Sequence, residues 1–246
     1  MIFTLSIISI GFGSYAFAEF EYVDDPVVIL ETNSGNITIE FFALDAPNHR
    51  TNFIVLAKSG FYDGTLFHRI IPGFMIQGGD PNTISGSSTT WGLGGPENKL
   101  DSEFNDIKHN RGIVSMARSA DPNSAGSQFF IVHKDSNFLD GEYTVFGRIV
   151  TEESFETLDK IAALETTPDD KPVYAFETRI IKTTVVERSS VLEILDLGQP
   201  ERIDGAVTQS TGNQIFESQE LGIKFSAPEG WLLQQPQNSN PNSPDV

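Results

Sequence analysis

The chain has 246 residues, with 34 acidic side chains against 16 Lys and Arg, a formal charge of -18, 39% hydrophobic residues and no cysteine. Such a composition builds a globular core, and it excludes a disulfide framework, a thiol nucleophile and any Cys-ligated zinc or iron–sulfur centre. The shortage of cations argues against a nucleic-acid partner, because that binding rests on Lys and Arg neutralising phosphates.

Residues 1–18, MIFTLSIISIGFGSYAFA, are apolar and uncharged and end in a small-x-small pattern at Ala16-Phe17-Ala18. This reads as a signal peptide whose removal leaves Glu19 at the terminus, although no Lys or Arg precedes the apolar run. A membrane anchor formed by residues 1–18 and a buried N-terminal segment are the other two readings. With the signal removed, no stable membrane span is expected, and the protein is placed outside the cytosol. An acidic lead follows at 19–26, where Glu19, Glu21, Asp24 and Asp25 meet no base.

From Val27, VVILETNSGNITIEFF alternates β-branched and polar residues around Asn33-Ser34-Gly35-Asn36, which predicts a β-hairpin. Asp45 as a candidate N-cap, Pro47 at the start and Gly60 at the end frame a helix that carries Phe53, Ile54, Leu56 and Ala57. Short apolar runs separated by Gly, Pro, Asn and Asp then recur at 66–77, 113–117, 128–132 and 143–150, a spacing that suits a barrel or a sandwich. A second helix is predicted over 153–164, with Phe155, Leu158, Ile161 and Ala162 on one face, and TRIIKTTVVE at 178–187 is a closing strand. Beyond Arg188 the character changes. Val191 to Leu195 suit a short helix, 198–214 is turn-rich, LGIKFSAPEGW at 221–231 holds one strand and a turn, and the polar 232–246 is expected to be disordered. The segment 189–246 is thus a linker or part of a further domain.

The usual catalytic constellations are missing. His49, His68, His109 and His133 show no i, i+4 pairing, and there is neither a G-x-S-x-G elbow nor a G-x-x-x-x-G-K-[ST] loop. Gly92-Leu93-Gly94-Gly95 reads as a flexible loop and His133-Lys134-Asp135 as a solvated turn. What remains is a set of apolar and amide side chains around one arginine. In LFHRIIPGFMIQGGD, Arg69 and Ile71, then Met75 and Gln77 beyond the Pro72-Gly73 corner, occupy alternating positions that share a face on adjacent extended segments. An arginine there serves either a structural ion pair or a ligand.

FHRIIPGFMIQGGD at 67–80, SMARSADPNSAGSQFFI at 115–131 and FLDGEYTVFGRI at 138–149 resemble, in order, three motifs of the cyclophilin-type peptidyl-prolyl cis-trans isomerases. The resemblance runs from about Val27 to Glu187, so that 27–188 forms the isomerase domain. It implies a mainly β fold, an eight-stranded antiparallel barrel capped by two helices. ADPNSAGSQFFI, and Phe138 where cyclosporin-sensitive eukaryotic members carry Trp, look more like prokaryotic members.

Carried over residue by residue, the resemblance makes Arg69 the catalytic arginine, with Gln77 and Phe74 in the catalytic set. Met75, Phe130 and Leu139 join Phe74 as walls of a proline pocket, and His68, Ala117, Gln128, Phe138 and Tyr143 complete the substrate-binding set. Tyr143 stands where many members have His, Arg118 where many have Asn, and the 81–91 loop, with Ser85, Ser87, Ser88 and an exposed Trp91, is longer than in the shortest members. The implied reaction is isomerisation of X–Pro bonds in proline-containing peptides and unfolded protein clients by a monomer. A catalytically idle proline-peptide binding module is the alternative. No bond is made or cut in this reaction, so neither a cofactor nor a metal is expected.

Overall fold

The computed structural model describes residues 25–203 and, as backbone, the strand pair 215–218 and 223–226. The expected leader, most of the acidic lead and the polar 232–246 lie outside these residues. The first elements are β1 (Pro26–Thr32) and β2 (Gly35–Phe41), paired antiparallel from Val28↔Ile39 to Thr32↔Gly35 around the expected turn. Their alternation sends Val28, Leu30, Ile37 and Ile39 into the core.

Helix α1 (Pro47–Lys58) starts on a proline, whose missing N–H costs nothing in the first turn, and ends before Gly60 at φ +72°. Its N-terminus is capped from elsewhere. Ala46, not Asp45, holds the N-cap position and offers no side-chain bond. The Glu103 carboxylate instead accepts from the backbone N–H groups of Asn48 (3.1 Å) and His49 (2.9 Å). A carboxylate at a helix N-terminus is favourable to the dipole as well as to the orphan donors.

The strands β3 (Arg69–Ile71), β4 (Met75–Gly78), β5 (Ile113–Met116), β6 (Phe129–Val132) and β7 (Val145–Ile149) follow. Helix α2 (Glu152–Ala162), N-capped by the Thr151 hydroxyl, leads to β8 (Ile180–Glu187). Leu158, Ile161 and Ala162 of α2 are buried as its apolar face requires, and Phe155 packs partly buried beside them.

All eight strands form one antiparallel sheet in the order β3-β4-β6-β5-β7-β2-β1-β8. The sheet curls until the segments preceding its two edge strands meet, through a Leu66↔Arg179 bridge and the Phe67 N–H donating to Thr178 O at 3.0 Å. This is the eight-stranded antiparallel fold with two helices that the sequence predicts. Phe53 of α1 plugs the interior, with ring centroids 4.8 Å from Tyr62, 5.1 Å from Phe129 and 5.3 Å from Phe146.

The segment after β8 departs from expectation. No helix forms over 191–195; a single 3-10 turn spans Arg188–Ser190, and the chain then lies across the barrel as a strap. The Leu195 N–H donates to Val150 O (2.8 Å), Lys108 N–H to Glu201 O (2.8 Å) and Ile203 N–H to Asp106 O (2.7 Å). Arg202 bonds Asp45 at 2.9 Å and also Asp106. Asp45 therefore serves the strap rather than the helix. Further on, β9 (Ile215–Ser218) pairs antiparallel with β10 (Ile223–Ser226), which is the strand expected within 221–231 together with a partner that the sequence did not suggest.

Candidate active site

Register explains how one face of β3 and β4 becomes a binding surface. Arg69 lies opposite Gln77, Ile70 opposite Ile76 and Ile71 opposite Met75. Ile70 and Ile76 point into the core with no exposure, so Arg69, Ile71, Met75 and Gln77 face outward. The reversal between the strands runs through Gly73 at φ +75°, a conformation that a residue with a Cβ resists. Next along the sheet, Gln77 pairs with Phe130 of β6, whose neighbours Phe129 and Ile131 turn inward.

These outward residues sit over a second apolar cluster of Met75, Ile107, Ile113, Phe130, Val132, Leu139 and Val145, with Phe74, Ala117 and Tyr143 packed partly buried against it. The cluster is open on one side. There a pocket of about 130 Å³ is lined by Arg69, Phe74, Met75, Gln77, Ala117, Arg118, Phe130, Leu139 and Tyr143. The Tyr143 ring meets Phe130 edge-on at 5.6 Å, and behind it the His109 imidazole stacks on Phe130 at 6.0 Å. His109 is itself held by Asp140 (2.9 Å) and Ser115 (3.2 Å), and burial pulls its pKa below the ordinary value although Asp140 opposes the shift. A neutral, fixed ring therefore backs the aromatic wall.

The polar groups at the pocket mouth are arranged by their partners. Arg69 Nε lies 3.4 Å from the Asp170 carboxylate, and the Ile70 N–H donates to Asp170 O at 2.8 Å. Asp170 holds φ +60°, uncommon for a side chain other than glycine. Its carboxylate engages the Nε edge of the guanidinium, which leaves both terminal nitrogens for the groove. Gln77 Nε2 donates to Gln128 Oε1 (2.9 Å), and Gln128 Nε2 donates to the carbonyls of Gly92 (3.0 Å) and Gly94 (2.8 Å). This amide relay fixes the direction of both side chains and leaves Gln77 Oε1 as an acceptor beside Arg69. The glycine-rich loop is accordingly an anchor for Gln128. The buried Asp80 carboxylate ties together the two ends of the 81–91 loop that precedes these glycines by accepting from the N–H groups of Asn82 and Gly92.

Of the eleven residues named from the sequence, Arg69, Phe74, Met75, Gln77, Ala117, Phe130, Leu139 and Tyr143 line this pocket, and Gln128 lines the pocket beside it. The other two lie apart from these walls. His68 is 3% exposed, burial lowers its pKa, and neither ring nitrogen has a hydrogen-bond partner. Phe138 is 74% exposed and packs against Phe74 with centroids 5.4 Å apart, at the rim. Trp91, expected to be exposed, is half-buried and bonds Gly86 O at 3.3 Å. The sequence did not point to His109 or Asp170, whereas Arg118, noted there as a departure from the family's pattern, lines the pocket. No group of three or more His, Asp or Glu side chains able to hold a metal ion occurs among the described residues.

The eight-stranded antiparallel sheet with two helices thus carries an arginine at the mouth of an apolar pocket. The family model described as cyclophilin type peptidyl-prolyl cis-trans isomerase/CLD matches residues 27–185, and the chain belongs to that family. It is 45% identical over 161 residues to peptidyl-prolyl cis-trans isomerase CYP18-1 of Arabidopsis thaliana, covering 64% of this chain and 94% of the relative. To a peptidyl-prolyl cis-trans isomerase of Helicobacter pylori strain J99 it is 46% identical over 150 residues, or 60% of this chain and 88% of that one. A crystal structure of a Cryptosporidium parvum cyclophilin-type isomerase, determined in the presence of the dipeptide Ala-Pro, superposes with a TM-score of 0.58 at 35% identity, over 65% of this chain and 99% of that one.

Proposed function

We propose that this isomerase acts on X–Pro bonds of unfolded protein clients outside the cytosol, as a monomer, with Arg69 as the group that favours the twisted amide. The observation that carries the reading is Arg69 placed across the strand pair from Gln77 at the open side of an apolar pocket. An X–Pro bond isomerises over a barrier of ~18–20 kcal/mol because amide resonance must be lost, and the uncatalysed exchange takes tens of seconds or more. In the twisted state the prolyl nitrogen regains a lone pair. A guanidinium donating to that nitrogen, or holding the adjacent carbonyl, binds this state better than the planar one. Arg suits the task because it stays protonated and presents a planar fork, and Asp170 holds that fork by one edge. Phe130, Met75 and Leu139 grip the pyrrolidine ring and keep water away, which strengthens the arginine's hydrogen bonds. The Ala-Pro dipeptide present with the Cryptosporidium relative supports proline as the occupant.

The test is a coupled isomerase assay on an Ala-Pro peptide with the wild-type protein and Arg69→Ala. Loss of one preorganised donor should lower turnover about 10²–10³-fold and leave the melting temperature unchanged. Variant turnover above half of wild type sinks the assignment. Wild-type peptide binding without turnover would make the chain a proline-peptide binding module instead. The exported location rests on the apolar residues 1–18 and their Ala16-Phe17-Ala18 ending. N-terminal sequencing of protein recovered outside the cytosol should begin at Glu19, and an intact Met1 would refute cleavage.

A further inference from the structure

Beside the proline pocket, and sharing Gln77, Ala117 and Arg118 with it, lies a larger one of about 290 Å³. Its lining contains two cations, Lys99 and Arg118, and no carboxylate. That is the reverse of the chain as a whole, in which acids outnumber Lys and Arg by 34 to 16.

Arg118 is held in place by several contacts, and Lys99 is exposed and bonded to one backbone carbonyl. Arg118 is 15% exposed, donates from Nε to Glu142 O (3.0 Å) and from Nη1 to Ser119 O (3.0 Å), and lies over the Tyr143 ring at 4.7 Å. Two of these contacts are to neutral carbonyls and one to a ring face, so they orient the guanidinium without cancelling its charge. Its one anionic neighbour, the Glu142 carboxylate at 3.6 Å, is 69% exposed and hence a weak, water-screened partner. Lys99 Nζ donates to Pro96 O (2.9 Å) and lies 3.6 Å from where a Cβ on Gly126 would stand and 3.7 Å from one on Gly95. The Lys99 ammonium thus lies beside the backbone of Gly95 and Gly126 at the cavity edge. A guanidinium that is already ordered attracts an anion without a further loss of side-chain freedom on binding.

In an extended peptide, side chains two residues apart emerge on the same face. With the proline seated in the smaller pocket, a side chain two positions away along the peptide is on the face that meets the larger one. We propose that this pocket makes the enzyme selective for substrates that carry Asp or Glu two residues before the proline, Arg118 and Lys99 being the specificity-determining residues. The proposal rests on the reading of the groove as an X–Pro site.

Three peptides that differ only at that position, Glu-Ala-Pro, Ala-Ala-Pro and Lys-Ala-Pro in a common frame, test it in the isomerase assay with the full chain. The expected kcat/KM order is Glu above Ala above Lys, with Glu over Lys by about fivefold or more at low salt. Raising the ionic strength from about 0.05 to about 0.5 M should shrink that ratio in the wild-type protein, since screening acts on charges near the surface. In Lys99→Gln, and further in Lys99→Gln/Arg118→Gln, the ratio should fall toward one, and the wild-type salt series stands independently of whether these variants fold. Equal rates for the three peptides overturn the charge selectivity while leaving the isomerase reading intact, and so does a ratio that survives the double substitution. No turnover of any peptide by wild type overturns the isomerase reading and this proposal with it.

Discussion

The molecule contains two apolar clusters built from the same kinds of residue. One, centred on Phe53, Phe129 and Phe146, is closed by the sheet, α1 and α2. The other, centred on Phe130, is open on one side, where the pocket lined by Arg69 and Gln77 lies. Phe129 and Phe130 are chain neighbours on β6, and the pleat alone turns one ring into the closed cluster and the other toward the pocket. An apolar surface left open forgoes part of its hydrophobic stabilisation and becomes available to a ligand.

The largest expected effect belongs to the closed cluster. Phe53→Ala removes a ring with no exposure that touches three other aromatics, and should cost about 3–5 kcal/mol in urea unfolding, with activity lost only as the fold is lost. Phe130→Ala removes a ring of equal size from the open cluster, where water already reaches one side. It should cost less stability, about 2 kcal/mol, and should raise KM for proline peptides in protein that remains folded. If Phe53→Ala weakens peptide binding while the protein is folded, or Phe130→Ala does not, the division of labour between the two clusters fails.

The strap offers a finer test, because it braces the open cluster from behind. Ile107 belongs to that cluster, and the strap bonds the backbone on either side of it, at Asp106 and Lys108. Arg202→Ala leaves Asp45 and Asp106 facing one another without their shared cation and should lower stability by about 1–2 kcal/mol. Unchanged unfolding in Arg202→Ala would mean that the strap lies on the barrel without holding it.

Much of this arrangement is legible in the sequence because it follows from local rules. The period-two alternation in 69–77 predicts that Arg69, Ile71, Met75 and Gln77 share a face, and the observed register places them so. His68, placed in the substrate-binding set by the resemblance, is instead buried on the side away from Arg69, as the alternation of the strand requires. What the sequence hides is contact across long separations. Asp170 reaches Arg69 over 101 residues, Arg202 reaches Asp45 over 157, and Glu103 caps α1 from 55 residues away. No local pattern marks a carboxylate as the cap of a remote helix, so Asp45, beside the helix start in sequence, was the natural but mistaken candidate. The strap was hidden for the same reason, since 188–203 binds mainly through backbone groups and a few charges and shows no apolar periodicity.

The smallest effect, acid sensitivity, separates the two clusters by titration. Burial lowers the pKa of His49, His68 and His109 below the 6.5 of a free imidazole. Below that value the unfolded chain binds more protons than the folded one, so the unfolding free energy rises with pH. This stability is fully present above about pH 6.5 and is lost as the pH falls toward the lower folded-state values, by at most ~1.4 kcal/mol per pH unit for each histidine. Urea unfolding at a series of pH values below neutrality should show that slope. His49, buried in the first turn of α1 against Glu103, lines neither groove pocket, so His49→Gln should flatten the slope without altering KM. His109 stacks on Phe130, and a proton there sets a charge against the wall that grips proline. His109→Gln should flatten the slope to a similar degree and also remove any rise in KM that accompanies acidification of the wild-type protein. A slope of opposite sign would show that Glu103 and Asp140 stabilise the charged imidazoles more than burial penalises them.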